Sequence, residues 1–298
     1  MSFGARFGNW SYGNAVLEQK MNLEKVIGLG VAGNFTGHLE QAGEAADFKN
    51  VTVKDAKAPK AIFPFYLPKS AESRLDTFLH TFPLSSDRVN ISGTISENHQ
   101  IEPEVGVLCE IEYDGDRVSA LKPVAFGAYN DCSIRRPGAK KISEKKNWGA
   151  DSKGFSASLI SLSGFDESSE ISSYRIACFL KRNGEVNVYG VDSAARDYSY
   201  MYGTLLSWIV DRMNNQKDEG PAENIHEYLL DCAKPEMALI SIGATRYTEY
   251  GETHFLQPGD ISYVVVYHER YTGEEIMKMV ENDSFASDGI SALVQKAV

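Results

Sequence analysis

Glu102 and Glu104 stand on either side of a single proline in IEPEVGVLCEIEY, residues 101–113. Val105, Val107, Leu108, Ile111 and Tyr113 then read as a strand. Strand side chains at i and i+2 share a face, about 7 Å apart. Two carboxylates held that way repel unless something cancels their charge. A third lies further on, where AYNDCSIRR places Asp131 and Arg135 at the end of the apolar run PVAFGAY. Three carboxylates at strand ends make an oxygen set for a hard cation such as Mg²⁺, which keeps several waters and leaves positions for substrate oxygens. Arg135 then offers a planar fork for a substrate carboxylate. The same E-x-E spacing also describes a solvated strand face. Composition and spacing leave both readings open.

A second motif points elsewhere. Gly28, Gly30 and Gly33 in GLGVAG match G-x-G-x-x-G, and Asp55 follows at the distance of a ribose-binding acid. Only Val26 and Ile27 precede the glycines, too short a run for a buried parallel strand, and no βα alternation follows. A flexible glycine turn is the better account. His80, His99, His226, His254 and His268 lack metal-ligand spacing, and Ser161 and Ser163 lie outside any G-x-S-x-G elbow. Tyr247 and Tyr250, in a glycine-bearing loop, read as pocket-shaping or packing residues.

These groups need a scaffold. The chain has 298 residues, 43% hydrophobic and 24% charged, enough for a large core. Thirty basic against 41 acidic residues give a net charge of −11, which argues against nucleic acid as a partner. No apolar run is long enough to span a membrane. MSFGARFGNWSYGNAV has no signal-peptide core, and the four cysteines show no C-x-x-C. A cytoplasmic location with reduced thiols is the expectation.

DGDR at 114–117 and RNGE at 182–185 predict hairpins between alternating runs. Helices are predicted over TGHLEQAGEAADF, SAESRLDTFLHTF, SYMYGTLLSWIVDRMNNQK and PAENIHEYLLDCA, and as one or two elements in the tail GEEIMKMVENDSFASDGISALVQKAV. EMALISIGATRYTEYGETHFLQPGDISYVVVYH reads as two strands and a loop. Strands, helices, then strands again favour an α+β fold with a mainly antiparallel sheet.

Six segments, in order, resemble the fumarylacetoacetate hydrolase superfamily. IGLGVAGNFTGHLEQAGE is similar to its Gly–Asn–Tyr–x–x–His lid, with Asn34, Phe35 and His38 at the matching places. PKAIFPFYLPKSA resembles its P-x-x-F-x-K-P segment, and IEPEVGVLCEIEY its E-x-E metal strand. AYNDCSIRR is similar to N-D-x-S-A-R, DSKGFSA to the lysine-bearing loop, and ISIGATRYTEYGETHFLQPGD to the T-G-T-P…L-x-P-G-D region.

The resemblance implies a mainly β, α+β chain: an arm and lid over residues 1–58, and a mixed β-roll or barrel-like catalytic domain over 59–298 with peripheral C-terminal helices. It implies Glu102, Glu104 and Asp131 as ligands of a divalent ion, Mg²⁺ first, Mn²⁺ or Ca²⁺ as alternatives. It places Arg135 and Lys153 near substrate oxygens, Thr245 in the loop closing over them, and His38 as general base. The implied substrates are small 2-oxo or β-diketo acids. Acylpyruvate hydrolysis or oxaloacetate-like decarboxylation would proceed through an enolate stabilised by the ion. A homodimer is also implied.

Four departures mark a divergent branch. Gln41 stands where the family places the glutamate that orients its lid histidine, and Arg136 replaces an acid. Lys-Gly-Phe-Ser lacks an aspartate, and Gly-Ala-Thr-Arg a proline. Two alternatives therefore stand beside the enzyme: a non-catalytic protein binding metal and carboxylate, and an NAD-dependent oxidoreductase built on GLGVAG.

Overall fold

The computed structural model describes residues 22–43, 55, 57–94 and 96–298. The expected arm up to residue 21 and the second half of the helix expected over 36–48 lie outside them. The alternating pattern after Glu104 forms the longest hairpin. Its strands β6 (Pro103–Asp114) and β7 (Arg117–Asn130) close at the DGDR turn, where Gly115 takes φ 61°. The second hairpin, β11 (Tyr174–Arg182) and β12 (Glu185–Ala194), closes at Asn183 (φ 52°) and Gly184 (φ 86°). That left-handed pair is what a two-residue Asn-Gly turn demands.

Shorter strands flank these hairpins. They are β1 (Ile27–Ala32), β2 (Ala61–Tyr66), β3 (Leu84–Ser85), β4 (Arg88–Val89) and β5 (His99–Gln100). Beyond β7 come β8 (Ser133–Ile134), β9 (Lys153–Phe155) and β10 (Ile160–Ser161), then β13 (Met237–Ser241), β14 (Ile261–His268) and β15 (Ile290–Ala297). Among the described residues one sheet runs β2-β1-β13-β6-β7-β9-β3 with β10 beside β7, and another runs β12-β11-β14-β15-β4. β5 and β8 pair separately. Only β1–β13, β3–β9 and β4–β15 are parallel among these ladders, so the mainly antiparallel α+β expectation holds. The sheets meet through β15 and β7, where Asn130 Nδ2 donates to the buried Gln295 at 2.9 Å.

Helix α1 (His38–Gln41) is a single turn. α2 (Tyr202–Asn215) buries Leu205, Ile209 and Met213, four residues apart, against β7 and β2. α3 (Ile225–Asp231) starts behind Asn224, whose side chain accepts from Glu227 N, so Pro221 lies ahead of the helix. α4 (Glu249–Thr253) sits in the loop between β13 and β14. α5 (Gly273–Glu281) opens on a Thr272–Glu275 capping box.

Three expectations need correction. SAESRLDTFLHTF forms only a 3₁₀ turn, Phe78–His80, and the His80 ring nitrogens lie 2.9 and 3.0 Å from the carbonyls of Leu67 and Leu75. The Leu75 carbonyl, which a helix would have paired internally, is met by the His80 ring instead. The chain's last element is strand β15, because Ile290, Ser291, Leu293, Gln295 and Ala297 are buried between β14 and β4. Gly28 and Gly30 lie inside β1 rather than in a strand-to-helix turn. A Cβ on either would stand 2.2 Å from the ring of Phe65 or Phe63 on β2. GLGVAG makes room for two phenylalanines, which removes the geometry behind the dinucleotide alternative. Among the described residues no helix is long and apolar enough to cross a membrane.

Candidate active site

β1 and β13 are parallel and end together, beside the start of β6 and the end of β7. Glu102 immediately precedes β6, Glu104 lies within it, and Asp131 follows β7. The Asp131 N–H donates to Glu102 O at 3.0 Å, closing the hairpin's open end. One carboxylate oxygen from each of the three acids lies within 4.8 Å of the others, and each residue is at most 2% exposed.

Glu104 accepts a hydrogen bond from Gly243 N at 2.8 Å. Gly243 has φ +119°, and a Cβ there would meet Asn34 Cβ at 3.0 Å, so this position requires glycine. Asn34 fixes the loop from its other side. Its Nδ2 donates to Ile242 O (2.8 Å) and Tyr200 O (2.9 Å), while its Oδ1 accepts from Tyr200 N (2.8 Å).

Three cations face the acids. Lys146 Nζ lies 2.7 Å from Glu102 Oε2 and 2.6 Å from Asp131 Oδ2. Lys153 Nζ is 3.2 Å from Asp131 Oδ1, donates to the Cys132 carbonyl, and sits 5.4 Å from the Trp148 ring centre. Arg135 Nη1 is 2.8 Å from Glu102 Oε1, while its Nε and Nη2 donate to Gln100 (2.6 Å) and Tyr247 Oη (3.0 Å). Burial alone would push the Glu102 carboxyl up, but Lys146, Arg135 and His38 outweigh it and hold it well below the usual range. Glu104 goes the other way: burial, then the neighbouring Asp131, raise it well above that range. Burial lowers the Lys153 ammonium despite Asp131. Burial and Asp131 thus raise Glu104, while the ion pairs that Glu102 makes with Lys146 and Arg135 hold it down.

The lid adds His38. Its Nδ1 lies 2.9 Å from the Thr245 carbonyl, so Nδ1–H donates there, and Nε2 faces Glu102 Oε2 at 4.0 Å. Gln41, one turn on, clasps the opposite strand of the loop. Its Nε2 donates to Tyr247 O (3.1 Å) and Oε1 accepts from Tyr247 N (2.9 Å). A glutamate could make only the second of those bonds, as acceptor.

His38, Glu102, Glu104, Asp131 and Lys146 line one cavity of about 20 Å³ together with Phe63. That volume holds one water-sized body. The donor set fits a hard divalent cation: ligands on opposite sides of such an ion are about 4–5 Å apart, the spread of these oxygens. Of the predicted residues, His38, Glu102, Glu104 and Asp131 line the cavity, Arg135 and Lys153 hold the acids from outside it, and Thr245 is buried and contributes its main chain. Arg135 is engaged by Glu102, Gln100 and Tyr247. Lys146 escaped the sequence reading, and its only signal was a KK pair ahead of Asn-Trp. Gly243 N was equally invisible, being a backbone donor.

The sequence matches the family described as "Family of unknown function (DUF5718)" over residues 44–297. No curated protein matches it. Among solved structures, a fumarylacetoacetate hydrolase from psychrophilic Exiguobacterium antarcticum is 13% identical with a TM-score of 0.50, covering 91% of this chain and 74% of its own. A 2-keto-3-deoxy-D-arabinonate dehydratase is 12% identical, TM-score 0.48, at 91% and 72% coverage. A maleylpyruvate hydrolase from Sphingobium sp. SYK-6 is 9% identical, TM-score 0.47, at 91% and 70%. At 13% identity the likeness to the Exiguobacterium structure establishes a shared fold.

Proposed function

This chain belongs to the DUF5718 family and has a fumarylacetoacetate-hydrolase-like fold, and on that premise we propose a divalent-metal-dependent enzyme acting on a small 2-oxo or β-diketo acid by hydrolysis or decarboxylation. The observation that carries the reading is the buried Glu102–Glu104–Asp131 triad facing a histidine across a small cavity. Burying three acids at one point is costly for a fold that has no use for them.

Glu102, Glu104 and Asp131 would hold the ion, Mg²⁺ or Mn²⁺. When bound, it would supply Lewis-acid polarisation of a substrate carbonyl. His38 accepts a proton at Nε2, from water in a hydrolysis or from the substrate, because Nδ1–H is committed to Thr245 O. Lys153 anchors Asp131, and Arg135 anchors Glu102. The Gln41 clasp holds the lid against the Tyr247 segment and excludes water. The cavity holds one water-sized body, so an oxo acid needs it to widen. A cytoplasmic location and a homodimer belong to the same proposal.

The test is turnover of a panel of 2-oxo acids and acylpyruvates by the Mn²⁺-supplemented protein. His38→Ala should lower kcat by about 10²–10⁴-fold on any acid turned over; an unchanged kcat removes His38 as the base. One observation favours a second reading, a non-catalytic binder of a cation and a carboxylate. His38 takes its orientation from a carbonyl, with Gln41 where an acid would raise its basicity. Mn²⁺ and oxalate binding with no turnover would select that reading.

A further inference from the structure

The three acids differ from an ordinary metal cage in one respect: a side-chain ammonium already stands among them. Lys146 Nζ bridges Glu102 Oε2 at 2.7 Å and Asp131 Oδ2 at 2.6 Å, distances of full charge-assisted hydrogen bonds. It lines the same cavity as Glu104 and His38, and the residue is only 3% exposed. Lys153 is not equivalent. It reaches Asp131 from β9, is anchored to the Cys132 carbonyl beside the Trp148 ring, and does not line the cavity.

A divalent ion contacting Glu102 and Asp131 through those oxygens cannot share the space with an ammonium bonded to both. Ion–oxygen distances are about 2.0–2.6 Å, so an ammonium left in place would stand almost against the ion, with like charges repelling at low dielectric. One of the two must leave.

Resting on the metal site proposed above, we propose that Lys146 is a tethered resident cation that occupies the ion's place in the metal-free protein and must withdraw before a divalent ion can bind. The backbone permits this without unfolding. Lys146 caps the 3₁₀ turn Ile142–Lys145, with its N–H bonded to Ser143 O at 3.0 Å, so the main chain stays fixed while the four-carbon stem turns. An aromatic face lies at hand: Nζ is already 5.2 Å from the centre of the Phe63 ring, within cation–π reach. The arrangement keeps the buried acids neutralised when metal is scarce, and it sets metal affinity by competition rather than by ligand count.

Direct titration of Mn²⁺ alone into wild type, Lys146→Met and Lys146→Arg tests this by calorimetry. Methionine matches the length of the stem without the charge, and should tighten Mn²⁺ binding by at least about tenfold. Arginine keeps the charge in a bulkier, planar group that retreats less readily, and should weaken binding by a comparable factor. Should the methionine variant fail to fold without metal, its recovery on refolding in Mn²⁺ supports the same competition, and the arginine variant still decides. Equal dissociation constants for wild type and either folded variant overturn the resident-cation role and leave the metal site standing. No binding by any of the three overturns both.

Discussion

The imidazole of His38 takes its tautomer from the main chain of Thr245: Nδ1 lies 2.9 Å from that carbonyl, and Nε2 faces Glu102 Oε2 at 4.0 Å. The base proposed at His38 is therefore aimed by the segment that carries Thr245. Gln41 ties the same two segments together through both main-chain groups of Tyr247.

Gln41→Ala removes this clasp. Each lost hydrogen bond is worth about 1 kcal/mol. Amide exchange in residues 36–43 and 244–248 should quicken while the β6–β7 hairpin stays protected. Unchanged exchange in the lid would show that its closure rests elsewhere.

Gly243→Ala should cost about 1–3 kcal/mol, because its φ of +119° excludes a side chain and the new Cβ meets Asn34 at 3.0 Å. The shift displaces the donor to Glu104. Both a lower urea midpoint and weaker Mn²⁺ binding are expected. A loss of stability with metal affinity intact would separate the loop from the site.

Glu102→Gln leaves Arg135 and Lys146 facing a neutral amide in a buried place. Breaking a buried pair from one side costs about 3–5 kcal/mol. Urea unfolding should register that loss at neutral pH. A change below about 1 kcal/mol would mean that the two cations find other partners.

Away from the site, burial raises the Glu223 carboxyl from 4.5 to about 7, although Ser143 Oγ donates to it at 2.8 Å. Its folded pKa is above its unfolded one, so the folded state binds the extra proton between those values. The stabilisation is complete below about pH 4.5 and is lost as pH rises through 7, by up to about 3 kcal/mol. The difference in unfolding free energy between wild type and Glu223→Gln should therefore shrink from pH 8 toward pH 5. A pH-independent difference contradicts the assignment.

Local pattern carried much of this into the sequence. The period-two run after Glu104, the DG and NG turns, and the four-residue spacing of Leu205, Ile209 and Met213 each settle on neighbouring residues, and each appears where expected. Glu102 and Glu104 do turn their carboxylates to one buried point, as the E-x-E spacing suggests. What stayed illegible depends on distant partners. Lys146 meets Glu102 across 44 positions. Gly28 and Gly30 answer to phenylalanines on another strand. The tail ISALVQKA became a strand because β14 and β4 cover both of its edges, a fact no window of the tail contains.

The central claim is that the three acids take up a divalent ion beside a small carboxylate. Thermal unfolding of wild type and Glu104→Gln, each with and without Mn²⁺ plus oxalate, tests it most directly. Oxalate resembles the planar enolate of pyruvate, and a ligand present at 100 times its Kd stabilises by about 2.7 kcal/mol. The account predicts a rise in wild-type Tm that needs both Mn²⁺ and oxalate, and its loss in Glu104→Gln. No shift in wild type, or the same shift in both proteins, would contradict it.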